Sequence, residues 1–262
     1  MERFPLVKSL RQCLNGLMNA TNKKECIVLA FIIKGFSVTA SFRIPENHTF
    51  QQTLPLPPAT TLAGLMGAAM GLSFEKAMEF REQKNILFGV IGSNKGEMKD
   101  LWKYNKVKSG EFLKDVLIRE YLTDFSLTIA IASEDQAVLS EIRNSFHNPR
   151  YALTLGNSDD LFKIKYIGPV VESEDEQCSI FENTLLVGEQ TLNYEPDIDL
   201  KNTPITYRVR APQVFLLPAA FSFNGEERRV KERKQFTFIG SPIKLKNPIS
   251  VYKVEDKRFH LL

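Results

Sequence analysis

An alternation of apolar and hydroxylated residues near the start of the chain is the feature that most constrains the fold. Residues 26–43 predict a long β-strand, bent near Gly35, because successive side chains of a strand point to opposite faces. Beyond this glycine, one face carries Phe36, Val38, Ala40 and Phe42, and the other carries Ser37, Thr39, Ser41 and Arg43. We expect the apolar face to meet helices. The other face is either a surface for a polyanion or an ordinary solvated sheet face.

A proline-led, glycine-rich segment follows the strand. Three prolines between positions 55 and 58 hold the chain extended. A helix is then expected to begin near Thr60, with Thr60 or Thr61 as its cap. Three glycines between positions 64 and 71 each cost this helix about 1 kcal/mol of propensity, which is tolerable where a helix lies very close to a sheet or another backbone. The start of such a helix is a candidate phosphate site.

The rest of the chain alternates predicted strands and helices, and this pattern indicates an α+β fold. Strands are predicted at residues 86–92, 116–131, 151–155 and 162–166, and helices at residues 73–84, capped by Ser73, and 134–146. The later chain is β-rich, with a strong hairpin signal at Asn224 and Gly225.

Between these elements, residues 93–119 interleave lysines with aromatic side chains, including the single tryptophan, Trp102. Cations and aromatic rings together can pair with the backbone charge of single-stranded RNA and stack on its bases. A long hairpin over the core, with the tryptophan as its plug, is the other interpretation of this segment.

Composition excludes several classes of protein. The chain has 262 residues, of which 43% are hydrophobic and 25% are charged, and this argues against disordered, collagen-like and disulfide-scaffold proteins. The longest apolar run, at residues 27–33, is far too short to cross a membrane, and we expect no secretory signal. Three widely spaced cysteines are typical of reduced thiols. We therefore expect a cytoplasmic protein without a membrane partner.

The charge of the chain is unevenly distributed. The net charge is +3, yet residues 172–199, named here the acidic block, contain nine acidic residues and no lysine or arginine. Outside this block, 34 basic residues face 22 acidic ones. The rest of the chain can therefore hold a basic surface that the overall sum hides.

No recognised catalytic or metal motif is present. The chain lacks a Walker loop, a dinucleotide glycine fingerprint and a nucleophile elbow, and its histidines, His48, His147 and His260, have no zinc-ligand spacing. A metal-free ribonuclease could use a histidine for acid–base attack by a 2′-hydroxyl, and His48, in a loop, is the best candidate. Asp159 and Asp160 could bind a metal, although such a pair more often caps a helix. We expect no cofactor.

Four segments along residues 26–166 resemble one known family. The first strand ends in SFRIP at positions 41–45, and the glycine-rich segment contains LPPATTLAGLMGA at positions 56–68. The second-strand region contains REYL at positions 119–122, and a later segment is YALTLGNSDD at positions 151–160. On these motifs the chain resembles the Cas-five (Cas5) family, a subunit of type I CRISPR effector complexes (Cascade).

The resemblance implies a ferredoxin-like, RNA-recognition-type (RRM) domain with an antiparallel sheet and a protruding hairpin thumb. We therefore divide the chain into three parts. These are an N-terminal helical appendage at residues 1–24, an RRM-like RAMP domain at residues 25–171 with its thumb at about 93–119, and an acidic linker with a β-rich C-terminal region at residues 172–262.

The resemblance also implies a function in antiviral defence. The family caps one end of the complex by gripping the 5′ handle of the CRISPR RNA. It lies next to the Cas-seven (Cas7) backbone subunits and the Cascade large subunit, with target DNA near the flanking motif as a further candidate partner. The RNA-binding residues that this implies are Ser41, Arg43, Asn47, Thr60, Thr61, Lys103, Lys106, Lys108, Arg119, Arg150 and Ser158.

One branch of the family cuts the CRISPR repeat by acid–base chemistry with tyrosine, lysine and histidine. This chain has no adjacent lysine–histidine pair, so we expect a non-catalytic subunit, with cleavage left to a separate Cas-six (Cas6) enzyme. A metal-independent endoribonuclease that processes CRISPR repeat RNA is the alternative. A protein scaffold whose acidic block docks a basic partner is a third hypothesis.

Overall fold

The computed structural model describes residues 28–47, 50–108, 110–199, 201, 204, 209–225 and 227–262. The predicted N-terminal helical appendage at residues 1–24 lies outside the described residues. So do the first two residues of the predicted first strand and His48.

The described part of the chain is mostly β-structure with three helices, consistent with the predicted α+β class. Its strands are β1 (Val28–Ala40), β2 (Phe42–Arg43), β3 (Phe50–Gln51), β4 (Thr53–Leu54), β5 (Leu87–Ser93), β6 (Gly96–Lys108), β7 (Glu111–Ser133), β8 (Lys163–Ile167), β9 (Val171–Phe181), β10 (Thr184–Val187), β11 (Tyr194–Pro196), β12 (Gln213–Asn224), β13 (Glu227–Ile239), β14 (Ile243–Val254) and β15 (Lys257–Phe259). Its helices are α1 (Ala59–Met70), α2 (Phe74–Gln83) and α3 (Gln136–His147). None of these helices is long and apolar enough to cross a membrane.

One large sheet contains thirteen of the described strands. Its main path runs β11-β14-β9-β1-β7-β5-β10-β13-β12, with β15, β3, β6 and β8 attached to it, and β2 and β4 form a separate pair. β1 and β7 pair along almost the whole of β1, from Leu29 opposite Ser133 to Ala40 opposite Leu122. β7 is antiparallel to β1, β5 and β6, whereas the short β3 is parallel to it.

Alternate residues of β1 enter two cores on opposite faces of the sheet. Phe31 and Ile33 pack in the core that also contains the apolar residues of α1 and α3. Ala30 and Ile32 pack on the other face, in a core with Phe259 near the C-terminus. Both faces are covered at this point, which explains the uninterrupted apolar run in the sequence.

The prediction that the hydroxylated face of the first strand is open is wrong. Ser37 is buried, whereas Val38, which was assigned to the packed face, is 69% exposed. The reason is that the YALTLGNSDD segment and the residue after it cross this part of β1. Ser37 Oγ donates to the Leu161 carbonyl at 2.9 Å, and Thr39 Oγ1 donates to the Asp160 carboxylate at 2.6 Å. These hydroxyls therefore fasten the crossing segment and do not form a free surface.

The YALTLGNSDD segment was predicted to begin with a short strand, and it forms a turn with an isolated bridge at Thr154. The buried Asp160 carboxylate accepts hydrogen bonds from the backbone N–H and the side-chain amide of Asn157, at 3.0 and 3.1 Å. Gly156 has a φ of 122°, and a Cβ on it would lie 1.9 Å from the Ser41 carbonyl oxygen, so only glycine fits there. The turn is thereby held against the junction of β1 and β2.

α1 and α2 pack closely together, as the small residues of α1 predict. A Cβ on Gly67 would lie 2.6 Å from the Cβ of Ala77 in α2, which leaves no room for a side chain. α2 begins after Ser73, whose side chain accepts a hydrogen bond from the Lys76 N–H at 3.3 Å. This contact confirms Ser73 as the cap of the second predicted helix.

Two long hairpins extend from the sheet. β6 and the first part of β7 pair from Gly96 opposite Thr123 up to the turn at Gly110. β12 and β13 form the second hairpin, and its turn contains Gly225, which confirms the predicted hairpin. β10 pairs with residues 236–239 of β13, so the preceding part of β13 has β12 as its partner.

The first part of the acidic block lies on β9. This strand is hydrogen-bonded to β1 on one side and to β14 on the other. Glu174 stands opposite Lys253 of β14, and Glu176 forms an ion pair with Arg258 of β15. Basic residues therefore offset the acidic residues of β9 within the sheet. The division of the chain at residue 171 stays a prediction.

Candidate nucleic-acid interface

A cleft of about 500 Å³ opens between β2, the start of α1, the YALTLGNSDD turn and the β12–β13 hairpin. Its lining includes four of the predicted RNA-binding residues, which are Ser41, Arg43, Thr60 and Thr61. The other lining residues include Phe74, Asn157, Phe221 and Arg228. The fold thus brings into one space side chains that are far apart in sequence.

The start of α1 opens into this cleft without a capping side chain. Pro58 occupies the N-cap position and the helix begins at Ala59, so the prediction that Thr60 or Thr61 caps it is wrong. The physical reason is that proline already favours the extended backbone that an N-cap needs. The first turn contains no acidic residue. Because the first N–H groups of a helix lack intrahelical partners and carry partial positive charge, this end of α1 can receive an anion.

Arg43 adds a full positive charge beside the helix start. Its side chain is exposed, and its Nη2 donates to the Asn47 carbonyl at 3.3 Å. None of the ion pairs among the described residues involves Arg43. The Asn47 side chain donates to Gln52 Oε1 at 2.7 Å, so it shapes the loop next to the arginine. The charge of Arg43 is therefore open to a phosphate group.

The two predicted serines have different surroundings. Ser41 is 9% exposed, and its Oγ donates to the Glu120 carbonyl of β7 at 2.9 Å. Ser158 is exposed in the turn next to Asn157, and its Oγ donates to the Asp159 carboxylate at 3.4 Å. Ser41 thus links the cleft to the base of the β6–β7 hairpin.

The predicted thumb residues lie along the β6–β7 hairpin, outside the described lining of the cleft. The Arg119 guanidinium lies 3.4 Å from the centroid of the Trp102 ring. Its buried Nε has no hydrogen-bond partner among the described residues. Lys103 is exposed, and Lys108 ends β6, with its side chain outside the described part. Stacking on Trp102 therefore fixes the position of Arg119.

Lys106 belongs to a small polar network on the same hairpin. Its Nζ lies 3.9 Å from the Asp115 carboxylate, which also accepts a hydrogen bond from the Tyr104 hydroxyl at 3.0 Å. The pKa of Asp115 is lowered by the backbone N–H of Val116, then by the Tyr104 hydroxyl and by the charge of Lys106. The bond to Asp115 raises the pKa of Tyr104. Tyr104 therefore keeps its proton, and Asp115 offsets the charge of Lys106.

Arg150 lies at the other end of α1. Its backbone N–H donates to the Ala69 carbonyl at 2.9 Å, and its side chain lies against Gly71. α1 has 12 residues, so roughly 18 Å separates this end from the helix start. Arg150 is not among the residues that line the cleft, although Ala68 of the same helix end is.

Sequence reasoning missed an arginine–aromatic cluster in the lining of the cleft, formed by Arg228, Phe221 and Phe74. The Arg228 guanidinium lies 5.0 Å from the centroid of the Phe221 ring and 5.2 Å from that of Phe74. The Asn-Gly hairpin signal could have located this cluster, because a tight turn there folds the following basic run back along Phe221 and Phe223.

Neither of the two described histidines lines the cleft. His147 ends α3 and is exposed. Burial lowers the pKa of His260, whose Nδ1 lies 3.2 Å from the Ser250 carbonyl oxygen. The carboxylate of Asp160 accepts hydrogen bonds within its turn, and the described residues contain no group of three or more potential metal ligands.

Comparison with known proteins defines the class of this chain. A family model described as CRISPR-associated protein (Cas_Cas5) matches residues 33–211. This range is more than half of the chain and includes Arg43, α1 and the β6–β7 hairpin, whereas β12 and β13 lie beyond it. The chain belongs to the Cas5 family of CRISPR-associated proteins, which confirms the resemblance found in its motifs.

Three solved structures are similar to this chain. One, described as "CRISPR RNA-guided surveillance complex", contains a chain that is 17% identical with a TM-score of 0.50, and the match covers 84% of this chain and 91% of that chain. A second, "Crystal structure of a CRISPR protein from Archaeoglobus fulgidus", is 11% identical with a TM-score of 0.45, covering 88% of this chain and 97% of that chain. A third, "Crystal structure of Cas protein", is 20% identical with a TM-score of 0.35, covering 50% of this chain and 59% of that chain. No curated protein matches the chain.

Proposed function

We propose that this protein is a non-catalytic CRISPR RNA-binding subunit of a type I Cascade complex, which caps the 5′ handle of the guide RNA for RNA-guided DNA recognition. The observation that carries the proposal is the cleft in which Arg43 and the uncapped start of α1 face the same space. A cation beside a helix start offers two kinds of phosphate contact. Membership of the Cas5 family makes CRISPR RNA the expected nucleic acid.

The core around this cleft is proposed to be ferredoxin-like. β1, α1, β5, β7, α3 and β8 follow one another in βαββαβ order, with α2 inserted after α1. Neighbouring pairs give the order β8-β1-β7-β5, in which the first strand lies between the last and the third. Both features support an RRM-like RAMP domain at residues 25–171, with the β6–β7 hairpin as its thumb and residues 172–262 as a further region.

Handle capping implies partners on several sides of the molecule. We propose the Cas7 backbone subunits and the Cascade large subunit as protein neighbours in the cytoplasm, with target DNA near the flanking motif as a further ligand. The β6–β7 hairpin exposes large apolar side chains, among them Leu101, Val107 and Phe112. Contiguous exposed apolar groups often mark interaction sites, so this hairpin supports a contact with a partner.

The residues that line the cleft support binding without cleavage. The described lining offers arginines, hydroxyls and apolar side chains, and contains no tyrosine, lysine or histidine. Metal-free RNA cleavage needs groups that accept and donate a proton near neutral pH. His48 lies outside the described residues, so cleavage is followed in the same experiment as binding.

The test mixes the purified full chain with end-labelled CRISPR repeat RNA in EDTA, at two salt concentrations, and follows both gel shift and cleavage. We expect a salt-sensitive shift without cutting. Arg43→Ala should weaken binding roughly fivefold and reduce the slope of log K against log salt by about 0.7, because one phosphate contact is lost. Arg229→Ala is the matched control, since Arg229 is exposed but paired with Glu227 and does not line the cleft.

Each other outcome contradicts a defined part of the proposal. A specific cut next to the handle would show an endoribonuclease. The absence of a shift at both salt concentrations would argue against RNA binding by this protein. Equal affinities of the Arg43→Ala and Arg229→Ala variants would remove Arg43 from the site.

A further inference from the structure

The β12–β13 hairpin contributes residues to the lining of the cleft, although it lies beyond the residues that match the family model. Phe221 and Arg228 of this hairpin line the same cleft as Arg43 and Thr60. A ligand in the cleft therefore meets one wall from the family core and another from the later chain.

Arg228 is held in a defined position on this wall. Its guanidinium lies over the rings of Phe221 and Phe74, at 5.0 and 5.2 Å from their centroids. The two rings contact each other edge to face, with centroids 5.6 Å apart, and Phe223 joins them at 6.1 Å from Phe74. A cation over aromatic faces is attracted by the ring quadrupole. The planar guanidinium is thus already placed before a ligand arrives.

Arg228 differs in its ionic contacts from two other arginines on β13. Arg229 pairs with Glu227 at 3.0 Å, and Arg233 pairs with Glu46 at 2.7 Å. In the described part of the chain, no ion pair involves Arg228. Among the described residues, Arg228 therefore presents at the cleft a positive charge without an ion-pair partner.

We infer that Arg228, supported by Phe221, stacks on an unpaired base of single-stranded RNA whose phosphates contact Arg43 and the start of α1. This inference rests on the proposed RNA-binding function. Single-stranded RNA offers both a chain of phosphates and flat bases that stack on guanidinium planes and aromatic rings. A cleft lined by Arg43, by the start of α1 and by the planar cation of Arg228 matches this combination. The β12–β13 hairpin is thus the base-contacting wall of the site.

The first experiment measures the affinity of four full-length proteins for end-labelled, single-stranded CRISPR repeat RNA in EDTA. They are the wild type and the Arg228→Ala, Arg228→Lys and Arg229→Ala variants. Arg228→Ala should weaken binding about tenfold, the usual effect of losing one stacking contact. Arg228→Lys should weaken it by a similar factor, because lysine keeps the charge but lacks the plane. Arg229→Ala should bind like the wild type. Full affinity of the lysine variant would overturn the stacking inference.

A second experiment separates contact with a base from contact with a phosphate. A series of repeat RNAs, each with one abasic nucleotide, is bound by the wild type and by Arg228→Ala. At the position whose base stacks on Arg228, removal of the base should weaken binding by the wild type. The same removal should not weaken binding by Arg228→Ala further, because the substitution has already removed that contact. Independent effects at every position would overturn the inference.

The two proposals fail in different ways. If Arg43→Ala weakens RNA binding while Arg228→Ala binds like the wild type, RNA binding stands and the stacking role of Arg228 is overturned. If the wild type binds no RNA, both proposals are overturned. Thermal unfolding of each variant checks that the protein is still folded. Phe221→Leu, which keeps an apolar side chain without a ring, should lower the affinity for RNA as Arg228→Ala does.

Discussion

Asp160 is the single residue that does most to position the YALTLGNSDD turn beside the cleft. Its buried carboxylate accepts hydrogen bonds from Thr39 Oγ1 and from both the backbone and the side chain of Asn157. A buried donor that loses its acceptor costs about 1–3 kcal/mol. These bonds therefore stabilise the protein and also fix one side of the cleft.

Replacing Asp160 by alanine is expected to lower the free energy of unfolding by about 3 kcal/mol, because three half-buried donors lose their acceptor. Urea unfolding followed by circular dichroism measures this difference. Asp159→Ala is the matched control, since Asp159 is exposed in the same turn, and it should change stability by less than about 0.5 kcal/mol. Similar effects of the two substitutions would show that the Asp160 bonds do not hold the turn.

Of the two arginines that line the cleft, local sequence pointed to Arg43 but not to Arg228. Arg43 closes an alternating strand and was therefore a visible candidate. Arg228 belongs to a run of mixed charges, and the sequence does not tell which of its cations has an acidic partner. Arg233, for example, pairs with Glu46, which is 187 residues away along the chain. A partner at that distance depends on the completed fold.

At the scale of elements, the contact between α1 and α2 explains why a helix tolerates several glycines. Gly67 has no room for a side chain, because a Cβ would lie 2.6 Å from that of Ala77. A Cβ on Gly64 would lie 3.6 Å from the Phe74 ring, which is an ordinary contact. The two glycines of the same helix are therefore retained under different constraints.

Gly67→Ala and Gly64→Ala are expected to change stability in opposite directions. At Gly64, alanine should stabilise the protein by up to about 1 kcal/mol through its better helix propensity. At Gly67, overpacking against α2 should outweigh that gain and destabilise the protein by about 1 kcal/mol or more. Thermal unfolding of both variants is the measurement. Stabilisation of the protein by both substitutions would show that α2 moves away at little cost.

Elements with strong local signals were predictable, whereas their exposed faces were not. The cap at Ser73 and the hairpin at Gly225 depend on neighbouring residues, and the structure confirms both. The alternation in the first strand correctly gives two faces. Which face is covered depends on a segment that lies 121 residues later, where Asp160 bonds to Thr39. Packing of this kind has no signature in a local window.

At the scale of the whole molecule, the last residues tie the second core to the middle of the chain. The Leu262 N–H donates to the Phe88 carbonyl of β5 at 2.8 Å, and Arg81 Nη2 of α2 donates to the Leu262 carbonyl at 3.1 Å. His260 lies within this junction, where burial keeps its pKa below the ordinary value of 6.5. The folded protein therefore holds this imidazole neutral.

Stability is expected to fall as the pH drops below about 6.5, the ordinary pKa of histidine. In this window the unfolded chain binds a proton at His260 and the folded chain does not. Protonation therefore favours unfolding, by up to about 1.4 kcal/mol per pH unit until the folded pKa is reached. Urea unfolding of the wild type and His260→Gln between pH 7.5 and 5.5 measures this contribution, which the variant should lack. His147→Gln, which changes an exposed histidine at the end of α3, is the matched control.

The cleft is lined by residues from early and late parts of the chain, from Ser41 to Arg228. Its parts are therefore synthesised at different times. Arg43 and α1 precede residue 211, whereas the β12–β13 hairpin begins at Gln213. A nascent polypeptide that has emerged only as far as residue 211 contains Arg43 and the sequence of α1 but lacks Phe221 and Arg228. Because N-terminal segments emerge first, the lining of the cleft is complete only after the later hairpin has been synthesised. Under the proposed function, a partly made chain is therefore expected to bind guide RNA more weakly than the finished protein.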